Sequence, residues 1–174
     1  GFDKKVWAAI EEEDRIIFRY TSRDGEEGYP GTLDFYAYYT LEGTSLHLRY
    51  EAKSDQDTII NITNHSYFNL NGHASSIHDH LLKVNSDKVG CVDPDGLYTG
   101  EQLDVEGTPF DFRKEKKIGD LIVADHSQLK TARGYDHPFV FNTNENQAVL
   151  YSPLTNIQLT VSTTYPSAQI YSAN

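Results

Sequence analysis

The sequence predicts an all-β fold, an antiparallel β sandwich. Three observations carry this. Apolar residues recur at every second position, the two-residue period of a half-buried strand. Turn residues interrupt these runs at short intervals. Helices do not alternate with the strands, which separates the chain from the βαβ classes.

The elements follow in order. Residues 15–20, Arg-Ile-Ile-Phe-Arg-Tyr, form a short β-rich run, closed by the turn residues Asp24-Gly25 and Gly28-Tyr29-Pro30-Gly31. Leu33, Phe35, Ala37, Tyr39 and Leu41 then alternate with Asp34, Tyr36, Tyr38 and Thr40. Glu42-Gly43 turns the chain, and Leu46, Leu48 and Tyr50 resume the alternation against Ser45, His47 and Arg49, so the two runs make a hairpin. Further strands are expected at 58–63, 81–84, 139–141, 148–151 and 157–162. A loop rich in Asp, Pro and Gly is expected over 90–107, and a hint of a short helix without a clean apolar face over 116–125. No repeat, low-complexity linker or composition break divides the chain, so residues 1–174 are expected to form a single domain.

The chain has 174 residues with a formal net charge of -11, from 15 Lys+Arg against 26 Asp+Glu. A phosphate backbone or an anionic membrane surface needs a basic face, so neither nucleic acid nor membrane is an expected partner. No apolar run is long enough to span a bilayer. A single cysteine, Cys91, excludes an internal disulfide framework and fits a reducing cytosol, so the expected location is cytoplasmic. The sequence contains no methionine and opens on Gly1-Phe2-Asp3, which suggests an internal piece of a longer protein.

Chemistry-bearing residues gather in few places. His73, His78 and His80, with Asp79, have a spacing that could ligate zinc if the loop folded back. No cysteine or second ligand motif supports this, and a polar surface loop is the preferred reading; no metal is expected. A Ser/His/Asp triad is unsupported, because the chain holds no Gly-x-Ser-x-Gly elbow. Residues 63–70, Thr-Asn-His-Ser-Tyr-Phe-Asn-Leu, place polar groups at the end of an apolar run. His65 is the side-chain type best suited to exchange protons near neutral pH. Asn64 and Asn69 could orient it or bind hydroxyls, and Tyr67 and Phe68 could offer aromatic faces to a sugar. On spacing alone, a hydrogen-bonded core histidine is the stronger reading of His65.

The 63–70 segment resembles the signature of the aldose 1-epimerase (galactose mutarotase) family. The resemblance runs through most of the chain. It takes in 1–7, Asp24-Gly25-Glu26-Glu27-Gly28-Tyr29-Pro30-Gly31, Val92-Asp93 through Thr99-Gly100-Glu101, and Gly107-Thr108-Pro109-Phe110-Asp111-Phe112-Arg113. Gly134-Tyr135-Asp136-His137 resembles the Gly-(Phe/Tyr)-Asp-His motif, and 164–171 the strand ending in Gln-(Ile/Phe)-Tyr. Each match alone is weak; their order makes them specific.

The resemblance implies a large antiparallel sandwich, the galactose mutarotase-like supersandwich, of which these residues could be an incomplete part. It implies a monomeric enzyme that interconverts the α and β anomers of hexoses such as galactose and glucose, with no cofactor. A histidine gives a proton to the ring oxygen and a glutamate takes one from the anomeric hydroxyl. Carried over residue by residue, His65 matches the acid. Ser66 and Tyr67 follow it in the motif and would line the pocket. Asp136 matches the sugar-binding aspartate and Gln169 the glutamine lying along the sugar. The family's upstream Arg and His are expected before Gly1 and its glutamate base after Asn174; Glu101, Glu106 and Glu145 lie in other motifs. The segment alone is therefore expected to be inactive. The alternatives are a non-catalytic carbohydrate-binding relative, and a phosphosugar 1-epimerase with Arg113 or Arg133 as phosphate ligand.

Overall fold

The computed structural model describes residues 1–72 and 75–173. Its strands form three four-stranded antiparallel sheets among these residues. The chain divides into two compact units, Gly1–His65 and Ser66–Asn174.

The first unit is built on one meander, in the order β1 (Ala8–Glu11), β2 (Arg15–Ser22), β3 (Leu33–Glu42) and β4 (Ser45–Ser54). The alternation read from the sequence is the pleat of this sheet. Phe35 stands opposite Tyr20 on β2 and Ala52 on β4, and Ala37 opposite Phe18 and Tyr50, so these side chains share one face. Leu33, Phe35 and Ala37 are buried there. A 3-10 turn at Phe2–Lys4 brings Phe2 onto the Phe35 ring at 6.0 Å, and Trp7 lies against Phe35 at 5.6 Å. The opposite face holds buried Ile17 among polar side chains and is laced by cation–π contacts, with Arg19 over Tyr36, and Arg15 and Arg49 over Tyr38. Gly31 makes the β2–β3 connection possible. Its φ is +85°, its N–H donates to Asp24 Oδ1 at 2.6 Å, and a Cβ there would stand 2.6 Å from Ser54 Oγ.

The second unit holds two sheets. One runs β11 (Gln158–Val161), β10 (Ala148–Tyr151), β5 (Leu81–Val84), β8 (Lys116–Lys117). The other runs β12 (Ser167–Tyr171), β9 (Asp136–Val140), β6 (Lys88–Val92), β7 (Tyr98–Asp104). Leu82 and Val84 from the first sheet share a core with Val89 and Phe139 from the second, together with Val105, Phe110, Phe112, Ile118, Leu129 and Tyr135. This is the sandwich arrangement the sequence predicts. Phe110 meets Tyr135 edge-on at 5.7 Å and Phe112 meets Tyr135 at 5.2 Å, and full burial of each such ring contributes ~1.5–3 kcal/mol. The Tyr135 hydroxyl donates to the Pro109 carbonyl at 3.0 Å, and burial holds its phenol well above the usual range.

The structure differs from the sequence reading in three stretches. Residues 58–63 are irregular and form no strand, with Ile59 and Ile60 exposed. A β-branched run becomes a strand only with a ladder partner. The 90–107 stretch contains most of the β6–β7 hairpin. β6 is buried on both faces from Val89 to Val92, so it shows no alternation, and Gly90 accommodates Pro138 and the Tyr98 ring, each 2.7 Å from where a Cβ would stand. The 116–125 stretch is not an α-helix. It begins as β8 and continues as a 3-10 turn at Ile118–Asp120, and the α-helix, α1, lies later at Ser127–Ala132. His126 caps that helix, its Nδ1 accepting from the Gln128 N–H at 3.3 Å.

Candidate functional site

In the first unit, His65 ends an irregular segment that leaves β4 at Ser54. It is exposed, so the core-histidine reading that spacing favoured does not hold. Asn64 beside it donates from Nδ2 to the Tyr39 hydroxyl at 3.4 Å. Tyr39 is set on β3 by the Phe18 ring, which meets it edge-on at 5.5 Å.

In the second unit, β9 and β12 place the other residues singled out by sequence. In their register Asp136 stands opposite Tyr171 and Pro138 opposite Gln169. His137, Phe139 and Ile170 turn toward the core, which leaves Asp136, Gln169 and Tyr171 on the outer face. There Gln169 Nε2 donates to Asp136 Oδ1 at 2.7 Å. Residues 33 apart in sequence thus form one polar group, and the bond fixes which end of the Gln169 amide is which. The pair then offers a carboxylate oxygen and an amide oxygen as acceptors and the second amide N–H as donor, the complement of neighbouring hydroxyls.

Tyr67 joins this face: its ring lies 5.7 Å from that of Tyr171 at 56°. Tyr171 was not singled out by sequence. The signal was its spacing, two residues beyond Gln169 on one strand, which fixes a common face. Ser66 is exposed just before Tyr67. Asn69 is engaged in its own turn, donating to the Ser75 carbonyl at 2.8 Å and accepting from the Asn71 N–H at 3.0 Å.

Asp136 is seated between two buried rings. The Tyr135 N–H donates to Ser172 Oγ at 3.0 Å, and the Asp136 N–H donates to His137 Nδ1 at 3.0 Å. The His137 ring packs 4.7 Å from Phe110, and its Nε2 is buried without a hydrogen-bond partner. Burial lowers the His137 pKa to about 4, against a smaller upward pull from Asp136.

His80 is buried with both ring nitrogens hydrogen-bonded, and His73 lies outside the described residues. Among the described residues no three His, Cys, Asp or Glu side chains gather in a metal-holding group. Arg113 is bound to Asp111 through Nε and Nη2, both at 2.9 Å, with Asp87 and Glu106 each 3.5 Å away. No helix is long and apolar enough to cross a membrane among the described residues.

The family model described as aldose 1-epimerase matches residues 1–174. The chain belongs to the aldose 1-epimerase family. It is 39% identical over 178 residues to the galactose mutarotase of Homo sapiens, a match covering 100% of this chain and 51% of that protein. It is 37% identical over 180 residues to the aldose 1-epimerase of Escherichia coli K12, covering 100% of this chain and 52% of that protein. The crystal structure of galactose 1-epimerase from Lactobacillus acidophilus NCFM superposes with a TM-score of 0.87 at 39% identity, over 97% of this chain and 51% of that one. A GalM/aldose epimerase homologue from C. elegans shares the fold, with a TM-score of 0.79 at 24% identity over 94% of this chain and 50% of that one. This family member spans about half the length of the curated relatives it matches.

Proposed function

We propose that the protein is an aldose 1-epimerase that interconverts the α and β anomers of free hexoses such as galactose and glucose. The observation that carries this is the family match over all 174 residues, with Thr63 to Leu70 as its signature segment. His65 is the general acid. Its proton passes to the ring oxygen as the C1–O5 bond breaks, while a base takes the proton of the anomeric hydroxyl and C1 becomes an aldehyde carbon. Rotation about C1–C2 and the reverse transfers close the ring on the other face. The base is the glutamate that the family resemblance expects outside these 174 residues, Glu101, Glu106 and Glu145 lying in other motifs, and on that reading the segment alone is inactive.

Asp136 and Gln169 hold vicinal hydroxyls, with Ser66 and Tyr67 lining the pocket. Their support is the 2.7 Å bond that joins the pair and the Tyr67–Tyr171 contact on the same side of the second unit. The ligand is a neutral sugar rather than a sugar phosphate: Arg113, the arginine nearest the matched motifs, is already engaged by carboxylates, and the chain carries a net charge of -11. A cytoplasmic location, supported by the lone buried Cys91, and action as a monomer without cofactor complete the reading.

Polarimetry of galactose mutarotation by the full-length protein tests this. His65→Ala lowers kcat by ~10²-fold or more, the range of a positioned general acid. A loss below about tenfold removes His65 from that role.

A further inference from the structure

Leu70 closes the signature segment, and both its backbone hydrogen-bonding groups are taken by side chains from elsewhere in the second unit. The Leu70 N–H donates to His80 Nε2 at 3.0 Å. The Leu70 carbonyl accepts from Thr155 Oγ1 at 2.9 Å. The next residue is held too: Ser152 Oγ donates to Asn71 Oδ1 and also accepts from the Thr155 N–H at 3.1 Å.

The His80 ring is set for this contact. It is fully buried. Its Nδ1 faces the Ile77 carbonyl at 3.1 Å, and a carbonyl can only accept, so Nδ1 carries the hydrogen. Nε2 is then the bare nitrogen that a backbone N–H requires. The His80 backbone is fixed on both sides, its N–H donating to the Ile77 carbonyl and its carbonyl accepting from Ile118. His80 leads directly into β5, which is paired with both β10 and β8. Thr155 and Ser152 lie in the turn joining β10 to β11. The grip on Leu70 is therefore anchored in the sheet, although 66–70 is itself irregular.

We propose that His80 and Thr155 are positioning residues that clamp the Leu70 peptide and thereby set the 66–70 segment, with Ser66 and Tyr67, for sugar binding and anomer exchange. Both act through the backbone, and neither is a catalytic residue. The inference rests on the mutarotase reading for its consequence and on the hydrogen bonds alone for its geometry. An ordered segment matters because a misplacement of about 1 Å at a reacting site costs up to ~10²-fold in rate.

Two substitutions separate the clamp from general stability. His80→Asn keeps a donor for the Ile77 carbonyl and is too short for Leu70. His80→Gln reaches Leu70 with its amide oxygen. Hydrogen exchange by NMR on the full-length protein is expected to show the Leu70 amide about five- to tenfold less protected in His80→Asn than in His80→Gln, the worth of one buried hydrogen bond, with the β5 amides alike in both. In the same proteins kcat and kcat/KM for anomer exchange fall further in His80→Asn than in His80→Gln. Equal Leu70 protection in the two variants, or a kcat that tracks only the folded fraction, overturns the proposal. Should neither variant fold, Thr155→Val at an exposed site decides: a lowered kcat supports the clamp and an unchanged one overturns it. A wild-type protein with no anomer exchange sinks the mutarotase reading, while Leu70 exchange still decides the clamp.

Discussion

Acidification between neutrality and about pH 4 should weaken the second unit through His137. The ring is fully buried against Phe110, and Nδ1 accepts the Asp136 N–H. A proton on Nδ1 would remove that acceptor and place a charge among aromatic rings. The charged groups bearing on it are few: Asp136 favours the cation, and His126, whose ring lies 5.3 Å from Phe110, disfavours it when charged. The sign follows from a folded pKa of about 4 against the usual 6.5. The unfolded chain takes up the proton first, so the contribution is complete above 6.5 and is lost as pH falls from there toward about 4. At ~1.4 kcal/mol for each tenfold in proton affinity, this interval amounts to ~3 kcal/mol. Urea unfolding followed by far-ultraviolet circular dichroism at several pH values measures the loss, and His137→Gln supplies the baseline of all other groups. The wild type should lose ~3 kcal/mol more than the variant. Parallel pH profiles, or a His137 ring resonance titrating near 6.5, would refute the reasoning.

Two further outcomes are expected. Asp136→Ala should raise KM for galactose more than it lowers kcat, because a hydroxyl contact present in the ground state is lost; a folded variant with unchanged KM in a mutarotation assay counts against a sugar-binding Asp136. Glu26 is held at about 2 by hydrogen bonds from Lys5 Nζ at 2.7 Å and from the Tyr20 hydroxyl at 2.8 Å, so its support of the first unit is present above the usual 4.5 and fades as pH falls toward 2. Lys5→Met should raise the Glu26 titration midpoint seen by carboxyl-carbon NMR, and an unmoved midpoint would show that the Lys5 contact does not control it.

The β3–β4 hairpin was legible because one of its faces is apolar and the other carries Arg, Glu and Tyr, which writes the pleat into the sequence. β6 was not, because burial on both faces erases alternation and Gly90 imitates a loop residue while making room for Pro138 and Tyr98. Residues 58–63 have strand composition yet form no strand, and strand pairing is a tertiary fact that composition does not contain. The site divides in the same way. Asp136 and Gln169 were recognisable from their motifs, yet the bond between them depends on the β9–β12 register. His80 was visible only as a member of a loop histidine group. Its work on Leu70 is set by the path of the chain before β5, which no spacing rule encodes.

Trp7 is the only tryptophan in the chain, and it sits in the aromatic cluster of the first unit, its indole N–H donating to the Phe2 carbonyl at 3.0 Å and its ring 5.6 Å from both Tyr20 and Phe35. Emission excited at the red edge of the absorption band, where tyrosines are silent, therefore reports on residues 1–65 alone. Tyrosine optical activity in the near ultraviolet is shared by both units, six of the twelve tyrosines lying in each. One unfolding experiment thus carries two optical readouts, tryptophan emission for the first unit and tyrosine optical activity for both. Coincident midpoints would mean that the units melt as one cooperative body, and separated midpoints would give each its own stability without cutting the chain.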